Sequence, residues 1–190
     1  MSSDPNSTSN AAAKPADGLN DVHTLSLVVR DRPGVLVRIA LVFARRGYNI
    51  GSLAVSPGAA GGFARMTITS QGNPETLEQI IKQLAKLVDV VHVADHLEHP
   101  PLEAEIALVK VGVGEGSDRN QALHEVALEF NAVVVDRGKA TSVLRLIGSR
   151  DELQAALSAL APFQVQELVR SGSVVMDKGR SVLTDLLQKS

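Results

Sequence analysis

Asp31-Arg32-Pro33-Gly34 ends a stretch of alternating apolar residues and opens one of helical period. A turn of that kind leaves unpaired backbone N–H groups at the positive end of a helix, where a carboxylate or phosphate can bind. Gly34 has no side chain to hold a ligand away from the backbone. The same four residues would also serve as a plain strand-to-helix turn. Gly112-Val113-Gly114-Glu115-Gly116 likewise sits between a strand pattern and a helix pattern. It lacks the spacing of a nucleotide loop, no Gly-Lys-Ser/Thr follows it, and Glu115 would repel a phosphate, so it reads as a connector. His92, His96 and His99 cluster with Asp95 and Glu98. In a strand 92 and 96 share a face, which makes a divalent metal conceivable. The segment runs into Pro100-Pro101, however, and a solvated linker is the plainer reading, so no metal site is assigned. No Gly-x-Ser-x-Gly elbow and no His-Glu-x-x-His pair is present, and nothing in the chain reads as catalytic machinery.

The composition narrows the classes further. A chain of 190 residues has room for one large domain or two small ones. It contains no cysteine, which removes disulfides, thiolate nucleophiles and sulfur metal sites. Net charge is −2, so no basic field draws the chain to nucleic acid or to a membrane surface. Single-stranded RNA modules stack bases on aromatic side chains, and here aromatic content is only 3%. The longest apolar runs are strand-length, far below the roughly 20 residues of a membrane helix. Residues 1–22, rich in Ser, Asn, Ala and Pro, read as a disordered tail. The tail lacks the apolar core of a signal peptide, and it has acids but no arginine, unlike a transit peptide. A cytoplasmic location is expected.

The elements that must position the Asp31 turn come as one pattern written twice. Leu25, Leu27 and Val29 alternate with polar neighbours as in a half-buried strand. Leu36, Ile39, Ala40 and Phe43 form the stripe of an amphipathic helix that stops at Gly47. Strands near 49–56 and 63–69 flank the turn 57–62. Asn73-Pro74 then starts a helix with the stripe Leu77, Ile80, Ile81, Leu84, and Val91 and Val93 close the unit. In the second half a strand near 106–113 precedes the stripe Leu123, Val126, Ala127, Phe130. Strands near 132–136 and 141–148 follow, then a capping box Ser149/Glu152 with the stripe Leu153, Ala156, Leu157, Leu160, and a strand over 164–176. Two βαββαβ units give an α+β fold of two ferredoxin-like domains, each an antiparallel four-stranded sheet with two helices on one face. The expected division is 23–98, a linker 99–103, 104–180, and a helical-looking tail 181–190. Val28 and Val109 are read as lying on uncovered sheet faces, which points to association with a second copy.

Several strings in this order resemble one family. They are Asp31-x-Pro33-Gly34-Val35-Leu36, Arg46-Gly47-Tyr48-Asn49-Ile50, Arg65-Met66-Thr67-Ile68, Glu105-Ile106-Ala107-Leu108-Val109-Lys110-Val111 and Arg170-Ser171-Gly172-Ser173-Val174. The first half resembles an ACT domain, a small amino-acid-sensing module. Residues 23–179 as a whole resemble the small regulatory subunit of acetolactate synthase. The resemblance implies a non-catalytic chain, dimeric through its ACT domains. Such a chain activates a catalytic subunit carrying thiamine diphosphate, Mg and FAD, and confers feedback inhibition by valine or another branched-chain amino acid. It implies no cofactor in this chain. It also implies an effector site made of Asp31, Arg32, Pro33, Gly34, Val35, Leu36, Asn49 and Ile50, with Asn49 contributed by the partner protomer. The chain departs from the family at Asp31, where many members carry Asn, and at Gly51, which replaces a usual Glu. The other reading the pattern allows is a free-standing ACT-type sensor serving a transcription factor or another enzyme.

Overall fold

The structure is a computed structural model and describes residues 22–58, 61–97, 99–114 and 117–179. The first unit runs β1 (Val22–Arg30), α1 (Val35–Arg45), β2 (Ile50–Pro57), β3 (Phe63–Gln71), α2 (Pro74–Leu84) and β4 (Val90–Asp95). The second runs β5 (Leu102–Gly112), α3 (Ser117–Glu129), β6 (Val133–Arg137), β7 (Thr141–Gly148), α4 (Arg150–Leu160), a 3-10 turn (Ala161–Phe163), β8 (Val165–Arg170) and β9 (Val174–Met176). Both sheets are antiparallel, ordered β2-β3-β1-β4 and β6-β7-β5-β8, so the two halves share one topology. The repeat extends to loop geometry. Asp31 N–H donates to Gly62 O at 2.9 Å, and Val113 N–H donates to Ala140 O at 2.9 Å in the corresponding place.

Alternation along the central strands makes the cores. Leu25, Leu27 and Val29 of β1 and Ala64, Met66 and Ile68 of β3 point to the helices, where Ile39, Phe43, Leu77, Ile80 and Leu84 meet them. Ala107, Val109 and Val111 of β5 do the same against Leu123, Ala127, Leu153, Ala156 and Leu160. The caps form as the residue types require. Asn73 accepts from Glu75 N–H, and Ser149 and Glu152 close a reciprocal capping box.

Six expectations need correction. β1 begins at Val22, the last residue of the expected tail, and β5 begins at Leu102, inside the expected linker. In α1 the buried stripe starts at Val35, while Leu36 is 42% exposed, because the helix enters one residue earlier than its apolar pattern suggested. Val109 is fully buried in the helix-side core; Ile106, Leu108 and Ile147 are the half-exposed residues of the opposite face. Val28 does lie off the helix-side core, but at 7% exposure its face is not open. The strand expected over 164–176 is two strands, broken at 171–173, where Gly172 takes φ +75°. β9 then turns back to pair with the start of β5, Val174 opposite Ala104 and Met176 opposite Leu102.

That break brings the second unit onto the first. Gly172 lies against Ser52 of β2, and Asp177 lies 3.5 Å from His96 after β4. Ser26, Thr67 and Thr69, which alternate away from the helices, are accordingly buried. Residues 181–190, read as helical, lie outside the described residues, as does most of the expected N-terminal tail.

Candidate effector loop and the residues around it

The Asp31–Gly34 loop is held from three sides. Arg30 N–H donates to Asp89 O at 2.8 Å, Asp31 N–H to Gly62 O, and Arg38 N–H to Gly34 O at 3.1 Å. Arg38 also pairs its guanidinium with Asp89, tying α1 to the segment ahead of β4. Gly34 is the N-cap of α1 and sits at φ +82°, a conformation that glycine adopts without penalty. No side chain caps this helix; Val35 N–H donates to Arg32 O at 3.3 Å, and the amides of Leu36 and Val37 remain available to an outside acceptor. Asp31, Arg32, Pro33 and Gly34 are all exposed. Arg32 and Pro33 border an open depression of about 680 Å³ shared with Arg38, Lys86, Leu87 and Val88. The loop therefore has the donors, the positive helix end and the solvent access that a carboxylate needs.

The remaining expected site residues divide by role. Val35 is buried in the first core and can offer only backbone to a ligand, while Ile50 packs against that core and stays partly exposed. Leu36 projects outward. Asn49 accepts from Ser70 Oγ at 2.8 Å through its backbone oxygen, leaving its amide side chain exposed. Asn49 lines a different cavity from Arg32 and Pro33. Within one protomer the loop and Asn49 are thus not brought into one site.

The histidine cluster is used in packing. His96 is buried, bonded through Nε2 to Ser26 Oγ at 2.9 Å, with Asp177 near its Nδ1. Burial lowers the pKa of His96, with Arg65 acting the same way and Asp177 and Asp95 opposing. Burial also lowers that of His92, opposed by Asp177. His99 is exposed, Glu98 lies outside the described residues, and among the described residues no three ligating side chains converge on a metal position. Glu115 and Gly116 of the second glycine-rich stretch also lie outside them.

Sequence reasoning missed the junction between the units. Arg170 donates from Nε and Nη2 to both oxygens of Glu105, at 2.7 and 2.8 Å, beside Arg150 and the β2 edge. Glu105 and Arg170 each fall within a string that carried the resemblance. Nothing in their spacing of 65 residues signals that they meet.

Two ferredoxin-like units, the first with an uncapped helix end behind a left-handed glycine, define an ACT-domain regulatory protein. Residues 25–92 match the family described as AHAS small subunit-like ACT domain, and residues 104–179 match that described as small subunit of acetolactate synthase. The chain belongs to the acetolactate synthase small subunit family. It is 41% identical over 157 residues to the acetolactate synthase small subunit of Mycobacterium bovis, covering 83% of this chain and 92% of that protein. It is 36% identical over 159 residues to the probable acetolactate synthase small subunit of Methanothermobacter thermautotrophicus, covering 84% and 94%. The crystal structure of the Thermotoga maritima acetolactate synthase small subunit superposes with a TM-score of 0.73 at 33% identity, covering 85% of this chain and 99% of that one. Its homologues are named as small subunits, and among the described residues no helix is long and apolar enough to cross a membrane.

Proposed function

We propose that this chain is the non-catalytic subunit of a cytoplasmic acetolactate synthase, activating its catalytic subunit and making it sensitive to valine. Thiamine diphosphate, Mg and FAD belong to the catalytic subunit in this reading, and this chain binds only the effector and its protein partners. The observation that carries the reading is the conjunction of both family matches with an open, uncapped helix end at Gly34. The effector's carboxylate meets the free amides of Leu36 and Val37 in the first turn after Gly34, and the exposed Asp31 is placed to meet its ammonium. Asn49 completes the site from a partner protomer, which accounts for its lying apart from the loop within one chain. The match over 104–179 weighs against a free-standing sensor, because the second unit is then the part that serves the enzyme.

The test is co-purification with the catalytic subunit, followed by acetolactate formation with and without this chain and with and without valine. Activation together with valine inhibition supports the proposal. A chain that binds no thiamine-dependent enzyme and leaves its rate unchanged overturns it.

A further inference from the structure

The junction between the two units encloses a cleft of about 360 Å³, at the small end of the range for ligand sites. One wall is the β2–β3 edge of the first unit, with Asn49, Gly51, Ser52 and Thr69; the other carries Arg150 and Arg170 of the second. Arg170 is committed to Glu105, whose two oxygens it occupies. Arg150, half-buried at the first residue of α4, has no hydrogen-bond or ion-pair partner among the described residues. A guanidinium stays charged at any accessible pH, so the three ionised groups leave the cleft with one uncompensated positive charge.

The opposite wall supplies matching donors. Ser52 Oγ and Thr69 Oγ1 lie 2.6 Å apart. One hydroxyl donates to the other, so the second proton is free to face a ligand. Gly51 leaves the β2 backbone bare at the rim, and a Cβ on Gly172 would come within 3.0 Å of Ser52 Cβ. The walls approach this closely because that position is glycine. Val22 is the one aliphatic side chain in the lining, so there is no pocket for a hydrocarbon chain such as that of valine.

We propose that this cleft binds a small hydrophilic oxyanion, a carboxylate or a phosphate, anchored by Arg150 and oriented by the Ser52/Thr69 pair. Since its walls come from both units, an occupant fixes one against the other and stabilises the closed junction by mass action. The proposal goes beyond the regulatory reading and does not rest on it: Asn49 borders this cleft as well as completing the proposed effector site, but the anchor Arg150 and the Ser52/Thr69 pair belong to the cleft alone.

The experiment titrates full-length chain with inorganic phosphate and, separately, with malonate, by calorimetry and thermal shift at low ionic strength. Valine serves as a third titrant. Wild type binds at least one of the anions, and which one it binds identifies the headgroup chemistry. Arg150→Ala weakens that binding about tenfold or more, the loss of a charge-assisted pair. Gly51→Glu places a carboxylate in the cleft and abolishes anion binding. Arg150→Ala keeps the wild-type response to valine, so failure at the loop is read separately from failure here; Gly51→Glu, which adjoins the effector-site residues Asn49 and Ile50, is read for anion binding alone. Absence of binding by wild type at tens of millimolar of both anions, or equal binding by wild type and Arg150→Ala, overturns the proposal.

Discussion

Arg170 of β8 pairs with Glu105 of the neighbouring strand β5 and satisfies both carboxylate oxygens, at the seam with the first unit. Glu105 is 4% exposed, so its charge is tolerable there only with this partner. Removing the guanidinium leaves a buried carboxylate uncompensated. Arg170→Ala is expected to cost about 2–4 kcal/mol, less than a fully buried pair because the arginine retains some solvent. The double variant Arg170→Ala/Glu105→Gln should recover part of that loss. Urea unfolding of the four species in a double-mutant cycle measures it, and a cost below about 0.5 kcal/mol would show the pair to be a surface contact.

A carboxylate at the helix entrance should switch off effector response. Gly34 holds φ +82°, a region that Asp tolerates better than most residues, so Gly34→Asp folds with a penalty of about 1 kcal/mol. Its charge then repels the effector's carboxylate. Valine at about 100 times its dissociation constant is expected to add about 2.7 kcal/mol to wild type and nothing to the variant. Activation of the catalytic subunit persists. Loss of activation along with valine response in a folded variant would place both functions on the same surface.

The two faces of β5 should respond oppositely to charge. Val109 is buried among Ala107, Val111 and Leu144, and Val109→Asp buries an unpaired carboxylate and unfolds the second unit. Leu108 is 42% exposed on the other face, and Leu108→Asp should change the stability of the isolated chain by no more than about 0.5 kcal/mol. Circular dichroism melts of the two variants distinguish the faces.

Stability should fall on mild acidification. His92 and His96 both have pKa values lowered in the folded chain, by burial first, with Asp177 opposing at each. Between the folded values and the unfolded value near 6.5, the unfolded chain binds more protons. Stability is therefore complete above about pH 6.5 and declines as pH falls toward the folded values. Asp177→Asn removes the opposing charge, lowers both pKa values further and steepens the acid loss. Denaturant midpoints between pH 5 and 8 test this, and a midpoint flat across that range, or one rising on acidification, contradicts it.

The sequence by itself determined what depends on local order. Periods of two and near 3.6 set β1, α1, β3 and α2, and Asn73 and Ser149 mark helix starts whose partners lie two and three residues away. The recurrence of the whole pattern established two βαββαβ units, and Asp31-x-Pro33-Gly34 marked the turn that α1 needs. Only the tertiary structure decided which face of β5 is buried. Val109 and Leu108 differ little in hydrophobicity, and only the register with β7 and the helices above assigns them sides. It also decided that the strand after α4 breaks at Gly172 and returns as β9, because β9 is held by pairing with Leu102–Ala104, some 70 residues earlier. The Glu105–Arg170 pair and the free Arg150 facing β2 are likewise tertiary. The pair joins segments distant in sequence within the second sheet, and Arg150 comes opposite β2 because two units, each too small to cover both faces of a sheet, close on one another.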